Sequence, residues 1–201
     1  MGMDWLAVIP HHLSTEEIIA LPRKIDGHRP LREAFDRPPG AGGPNPRYPT
    51  ATWLDPRPFT TKRLNRLWDY QEADQSPPAE LGHWDSTELC TYFGSLTIYR
   101  RIVVVNGIGS LHKYSNLQND TCRTYLFRVI NELARLLDAT SILYTCDGYQ
   151  PPALLMDKMS EGWPLTEVIA YGEATFGAIP DNIEQAVQHY FFTVPMKSSD
   201  K

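Results

Sequence analysis

Two adjacent histidines, His11 and His12, lie between a predicted strand and a predicted helix, and a neutral imidazole there can act as a base or a metal ligand. Neighbouring residues of an extended segment point to opposite sides, so the two rings do not converge on one metal ion. The helix that follows begins at Ser14, and the positive end of its dipole disfavours an imidazolium. The sequence therefore favours a strand–helix junction whose histidines satisfy local hydrogen bonds, with a catalytic histidine as the alternative.

A second candidate for chemistry is Asp147, which follows a predicted buried strand and precedes Gly148. The carboxyl end of a buried strand is a common position for a catalytic or metal-binding acid. Tyr149 stands beside it and is a candidate binding residue. Asp-Gly is also an ordinary turn dipeptide, in which the carboxylate bonds its own downstream backbone. A functional acid and a plain turn are both open interpretations of this position.

A third candidate is His112, in the polar segment SLHKYSNLQND that precedes the most regular predicted helix. Loops on a rigid scaffold often carry function, but no two residues of this segment have a recognised metal-ligand spacing, which favours a solvated loop. If the chain is an enzyme, we expect a small hydrolase or transferase. Its site would combine Asp147 with His11, His12 or His112.

Motifs of the large enzyme classes are absent from the sequence. GxGxxG, GxxxxGK[ST], HExxH, GxSxG and the EF-hand loop do not occur. The three cysteines are widely spaced and contain no C-x-x-C pair, which predicts neither a disulfide framework nor a zinc site. We therefore expect no metal and no cofactor, and the cysteines indicate a reducing compartment, the cytoplasm.

The charge of the chain limits its partners. It carries 19 basic and 24 acidic residues, a net charge of −5, and no concentrated basic run. Nucleic-acid binders need a positive face to displace counterions from phosphates, so we expect no nucleic-acid partner. No stretch approaches the roughly 20 apolar residues of a membrane span, and the first residues lack the features of a signal peptide. We therefore expect no membrane partner.

Hydrophobic periodicity predicts the secondary structure. The predicted helices cover 14–21, 30–36, 60–74, 86–94, 120–138, 151–159 and 164–177. The predicted strands cover 4–10, 96–105, 108–115, 141–147 and 188–195, with Asn106–Gly107 as the hairpin turn between the second and the third. The chain is thus predicted to be one α+β domain, 1–201. Its helices would cover a central, mostly antiparallel sheet of about four to five strands.

Residues 36–58 hold seven prolines and three glycines, which predicts an irregular insertion loop. Long loops in compact domains are often functional or disordered, and a passive ordered connector is the equal alternative. The aromatic residues Tyr48 and Trp53, with Phe59 just after the loop, indicate a segment that is pinned to a surface. Together with Tyr149, these three are the predicted binding residues.

Abundant aromatic residues, mild acidity and the lack of a catalytic motif favour a non-enzymatic cytosolic protein that acts through a protein–protein interface. An acidic surface suits a basic partner, because opposite charges speed the encounter. In composition the chain is similar to bacterial immunity proteins, which block a cognate secreted toxin. This resemblance implies a basic toxin domain as the partner. The hydrolase or transferase and an accessory subunit of a larger assembly are the alternatives.

Overall fold

The computed structural model describes residues 3–36, 50–55, 57, 59–73, 75, 78, 80–81, 87–147 and 150–196, the last range without the side chains of 150–153. The described residues form one seven-stranded antiparallel sheet and nine α-helices. The strands are β1 Trp5–Pro10, β2 Thr52–Trp53, β3 Glu88–Cys90, β4 Ser95–Ile98, β5 Ile102–Asn106, β6 Ser141–Cys146 and β7 Phe192–Pro195. The helices are α1 Thr15–Ile19, α2 Leu21–Gly27, α3 Arg29–Phe35, α4 Thr61–Glu72, α5 Ser115–Gln118, α6 Asp120–Leu136, α7 Gln150–Ser160, α8 Leu165–Phe176 and α9 Ile183–Ala186. The expected α+β class with an antiparallel sheet is confirmed, but the expected strand number of about four to five is too low.

Strand β1 lies inside the sheet, whose strands follow the order β2-β3-β4-β5-β1-β6-β7. Its side chains alternate between two cores: Trp5, Ala7 and Ile9 enter one, and Leu6 and Val8 enter the other. This alternation follows from the period of two along a strand. Because both faces of the sheet are covered here, the apolar run of β1 is continuous rather than alternating.

The two cores differ in size. The first core fills the space between one face of the sheet and helices α1 to α6, with Leu126, Ile130 and Leu133 of α6 fully buried at its centre. The second, smaller core lies between the other face and the helix pair α7–α8, which contributes Leu155 and Met159 from α7. None of the described helices combines the length and the apolar character that crossing a membrane requires.

Local capping fixes where the first and the longest helix begin. A capping box begins α1: the Ser14 hydroxyl accepts from the Glu17 N–H at 3.2 Å, and the Glu17 carboxylate accepts from the Ser14 N–H at 2.9 Å. Helix α6 begins after Asn119, whose Oδ1 accepts from the Cys122 N–H at 3.0 Å. Asp120 is the first residue of this helix.

The sequence analysis places the turn of the β4–β5 hairpin incorrectly. Leu96 pairs with Val105 and Ile98 with Val103, so the predicted single strand 96–105 is two strands that turn at residues 99–101. The predicted turn at Asn106–Gly107 is therefore wrong. Among the described residues, the predicted return strand after it is reduced to isolated bridges.

Tertiary ion pairs lie at the tip of this turn. At the tip of the hairpin, Arg100 binds Asp69 at 2.6 Å and Glu72 at 2.8 Å, both on helix α4. These partners lie about thirty residues away along the chain, so a local pattern of β-branched residues does not reveal them. The Asn-Gly dipeptide, a strong local turn signal, instead marks the end of β5.

Residues 86–94, predicted as a helix, contain strand β3 instead. Leu89 of this strand is opposite Leu96 of β4 and Trp53 of β2. A tight turn follows, in which the Thr91 hydroxyl donates to the Gly94 carbonyl at 2.6 Å. Residue 86 of the predicted range lies outside the described residues. Pairing with strands on both sides has overridden the local helix preference.

Candidate functional site

A cleft of about 1090 Å³ lies where several strand ends meet the turn between α7 and α8. Its lining includes Pro10 at the end of β1, Ser141 at the start of β6 and Pro195 at the end of β7. Across from them lie Trp163 and Leu165, next to the start of α8. We call this feature the strand-end cleft. Its volume is at the upper limit of pockets that bind small molecules, roughly 300–1,000 Å³.

His11 lines the strand-end cleft but is buried and fully hydrogen-bonded. Its Nε2 lies 3.1 Å from the Tyr99 carbonyl oxygen, and its Nδ1 accepts from the Leu13 N–H at 3.3 Å. These partners require the neutral tautomer that carries its proton on Nε2. Burial lowers the pKa of His11 below its usual value of 6.5. The ring therefore ties the end of β1 to the hairpin turn.

His12 also lines the strand-end cleft, but its side chain is exposed. The structure shows no hydrogen bond or ion pair from this ring to any residue that it describes. The two adjacent rings thus differ as an extended backbone requires, since one is buried against the hairpin and the other faces the cleft. His12 is the imidazole that remains available to a ligand.

Asp147 and the two histidines lie at opposite ends of the paired strands β1 and β6. Its Oδ1 accepts from the Asp4 N–H at 2.6 Å, and its own N–H donates to the Asp4 carbonyl at 2.9 Å. Strand β6 separates it from Ser141 at the strand-end cleft, and six residues of strand correspond to about 20 Å. The expected pairing of Asp147 with His11 or His12 in one pocket is therefore not formed.

His112 lies at the same end of the strands as Asp147, where its carbonyl accepts from the Trp5 N–H at 3.0 Å. Its neighbour Lys113 forms an ion pair with Asp4 at 2.8 Å. In the part of the chain that the structure describes, no hydrogen bond joins Asp147 to a histidine. The groups at this end of the strands connect the start of β1 to its neighbours, and they do not line the strand-end cleft.

Two of the predicted binding residues pack on each other. The rings of Trp53, in β2, and Phe59 have centroids 4.5 Å apart, and both are partly buried against the first core. The Arg63 guanidinium lies over the Phe59 ring at 4.6 Å from its centroid. The other two predicted binding residues, Tyr48 and Tyr149, lie outside the described residues.

Ion pairs fix the end of the predicted loop 36–58. The Asp55 carboxylate accepts three hydrogen bonds from the Arg57 guanidinium, one of 3.0 Å to Oδ1 and two of 3.2 and 2.6 Å to Oδ2, and it also pairs with Arg63. The hydrogen bonds from Arg57 and the positive charge of Arg63 lower the pKa of Asp55 to about 2. The two-residue strand β2 also lies in this segment.

Residues that the sequence analysis did not select contribute to the strand-end cleft. Arg101 is exposed and lines it, as do Gly162 and Trp163 in the turn between α7 and α8. Gly162 has a φ of +96°, which suits glycine. The only sequence signal is the tripeptide Gly-Trp-Pro between two predicted helices, because a tryptophan in a turn is unusual unless it packs or binds.

An aromatic group on the outer surface of α7 and α8 adjoins the strand-end cleft. The Lys158 ammonium lies 4.1 Å from the centroid of the Trp163 ring and 4.4 Å from that of Tyr171. Leu154, one helical turn before Lys158, is 41% exposed, and Trp163 is 39% exposed. We call Leu154, Lys158, Trp163 and Tyr171 the α7–α8 patch.

Neither metal ligands nor relatives supply a function directly. Among the residues that the structure describes, no three His, Cys, Asp or Glu side chains are grouped so that they could hold a metal ion. Comparison of the chain with protein-family models, curated proteins and solved structures finds no significant match. Function is therefore argued from the strand-end cleft and the α7–α8 patch.

Proposed function

We propose that this chain is a non-enzymatic binding protein that acts through a protein–protein interface and neutralises a cognate toxin, as bacterial immunity proteins do. The observation that carries the proposal is the exposed Trp163 of the α7–α8 patch, which Lys158 and Tyr171 hold in place. Tryptophan is strongly enriched among the residues that dominate binding energy at interfaces. A ring that is already fixed loses little conformational entropy when a partner covers it.

Lys158 is the charged group in contact with the Trp163 ring, and the exposed acidic residues farther out support a basic partner. Asp157, Glu161 and Glu167 are exposed and lie within a few residues of Trp163 along α7, the turn and α8. An apolar centre with a charged rim is the usual anatomy of a protein–protein interface. Acidic rim residues and the net charge of −5 attract a basic toxin domain and increase its association rate.

The alternative, a small hydrolase or transferase, has less support from the geometry. General acid–base catalysis needs its groups within hydrogen-bond reach of one substrate. Asp147 and His11 lie at opposite ends of the strands, and each is engaged in hydrogen bonds that hold β1. The proposal therefore assigns these residues to the fold and the exposed aromatic surface to function.

Location and partner class complete the proposal. Cys90, Cys122 and Cys146 are free thiols, which agrees with a reducing compartment, and we place the protein in the cytoplasm. The proposal includes neither a nucleic-acid nor a membrane partner. A cytoplasmic protein of this kind would protect the cell that makes the toxin.

The decisive experiment tests the product of the neighbouring gene as the partner. The two proteins are co-expressed, the complex is isolated by affinity and size-exclusion chromatography, and its Kd is measured by calorimetry. We expect a stoichiometric complex and protection of cells from the partner's toxicity. Trp163→Ala should weaken the complex about 30-fold, which corresponds to ~2 kcal/mol.

Ile183→Ala is the matched control for this substitution. Ile183 is also an exposed apolar residue, 36% accessible, but it belongs to α9, which packs into the first core. It should leave the Kd within about twofold, since an exposed residue outside the interface contributes little. An unchanged Kd for Trp163→Ala would reject the α7–α8 patch as the interface. Catalytic turnover by a chain that forms no complex would reject the binding function itself.

A further inference from the structure

Two neighbouring arginines at the tip of the β4–β5 hairpin have different surroundings. Arg100 pairs with Asp69 and Glu72 and lies over the Trp68 ring at 5.4 Å from its centroid. Both arginines line the strand-end cleft, but no carboxylate among the described residues lies within ion-pair distance of Arg101. The charge of Arg100 is thus neutralised inside the fold, whereas that of Arg101 is available to a ligand.

The position of Arg101 depends on a glycine. Its guanidinium lies against Gly162, and a Cβ added to Gly162 would be 2.6 Å from the Arg101 Cζ, closer than real side chains approach. Any other residue at this position would displace the guanidinium. The turn between α7 and α8 therefore leaves a place for this charge at the wall of the cleft.

The polar lining of the strand-end cleft is suited to an anion. Beside Arg101 the lining includes the exposed His12 and the residues Thr140, Thr166 and Thr193, whose side chains can donate hydrogen bonds. The chain has 24 acidic residues, yet the described lining of the cleft includes no Asp or Glu. A guanidinium among neutral donors, without a competing carboxylate, is the arrangement that binds carboxylates and phosphates.

Apolar side chains form the helix side of the cleft. Met159, Leu165 and Ile169 lie on the helix side of the cleft together with the Trp163 ring. Apolar walls with a few convergent polar groups are typical of small-molecule sites. The lining therefore matches a ligand that has an acidic group at one end and an apolar body at the other.

We propose that the strand-end cleft binds a small organic anion, a carboxylate or a phosphate monoester, whose acidic group pairs with Arg101 and whose apolar body packs against Met159 and Trp163. This proposal does not depend on the protein–protein function proposed above. A chain that binds no protein partner can still bind such an anion, and the reverse also holds.

The test uses phenylacetate, phenyl phosphate and the neutral isostere phenylacetamide as probes. Binding is followed by protein-observed NMR through the indole N–H of Trp163, which is assigned with Trp163→Phe. We expect saturable shifts with at least one of the two anions and an affinity about tenfold weaker for phenylacetamide. The anion that binds more tightly identifies the acidic group. Equal binding of phenylacetamide, or no saturable shift with either anion, would overturn the proposal.

A pair of arginine variants separates the site from the general charge of the protein. Arg101→Gln should weaken binding of the preferred anion about tenfold, because it removes the charged hydrogen-bond donor. Arg23→Gln is the matched control, since Arg23 is exposed on α2 and does not line the cleft. It should leave the affinity within about twofold, because screened charges outside the site act weakly. Equal effects of the two variants would show non-specific attraction and reject the site.

Discussion

The two faces of the sheet are covered to different depths. Of the described residues, 35 form the first core, under α1 to α6, whereas nine form the second core, under α7 and α8. Alternate residues of the same strands supply both cores, as Ala7 and Val8 do in β1. The second layer is a single helix pair, and its connecting turn borders the strand-end cleft.

This difference separates stability from recognition. Burial of apolar surface is the main source of folding free energy, so most of it comes from the first face. The second face needs only enough burial to hold α7 and α8 in place. Its remaining surface carries the exposed Trp163 and the lining of the cleft, which a partner or ligand can contact.

The largest expected effect is on the first core. Leu133→Ala should lower the free energy of unfolding by about 3 kcal/mol, because a fully buried leucine on α6 would leave a cavity under the sheet. Urea unfolding followed by circular dichroism measures this change. Leu154→Ala, the same substitution at an exposed site on α7, is the control and should change it by less than about 0.5 kcal/mol.

A cavity in the second core should cost less. Leu155→Ala, next to that control residue, should lower the free energy of unfolding by about 2 kcal/mol, because one helix pair can move inward to fill part of the cavity. Hydrogen exchange should also show amides of α7 and α8 exchanging before those of α6. A loss of unfolding free energy equal to that of Leu133→Ala would contradict the difference in size between the first and the second core.

A substitution that adds one methyl group tests how tightly the second layer packs. A helix-interior Gly→Ala change usually stabilises, but a Cβ at Gly172 of α8 would lie 2.8 Å from the Phe191 ring. Gly172→Ala should therefore destabilise the fold by about 1 kcal/mol through overpacking.

Gly27, the last residue of α2, is the control because an added Cβ meets nothing within 4 Å. Gly27→Ala should stabilise by about 0.5 kcal/mol, since it restricts the unfolded chain. Both changes are measured as shifts in the urea midpoint. Stabilisation by Gly172→Ala would show that α8 can move away from Phe191 without cost.

The smallest effect is expected at His11, which joins β1 to the hairpin. Burial lowers its folded-state pKa below 6.5, so the unfolded chain binds the proton more readily. The stability due to this residue is complete above pH 6.5 and decreases as the pH falls from 6.5 towards the lowered pKa. His11→Gln should flatten this decrease in a pH series of urea unfolding curves. Identical slopes for both proteins would contradict a neutral His11 in the fold.

Elements with strong local signals were predictable from the sequence. Helix α6 and strand β6 follow their periodicity, and the capping box sets the start of α1. Elements whose pairing partners are distant in the sequence could not be predicted in this way. The range 86–94, predicted as a helix, contains strand β3, which pairs with strands on both sides, and Arg100 at the hairpin turn pairs with carboxylates of α4.

The residues of the proposed functional surface were harder to predict from the sequence than the fold. Histidines and an aspartate attract attention because of their chemistry, yet His11 and Asp147 form hydrogen bonds that hold the strands. Arg101 and Trp163 carry no motif, and they become neighbours of one cleft only when α7 and α8 fold back across the strand ends. Sixty residues separate them in the chain, so no local pattern can connect them.

Residue types and their periods by themselves determined the class of fold, the main helices and the absence of the common enzyme motifs. These features depend on interactions within a few residues, such as capping, helical amphipathicity and strand alternation. Only the tertiary structure decided the strand order, the position of the hairpin turn and the grouping of Arg101 with an exposed tryptophan at one cleft. The reason is that long-range pairing energies exceed local preferences, and they act between residues whose proximity exists only in the folded chain.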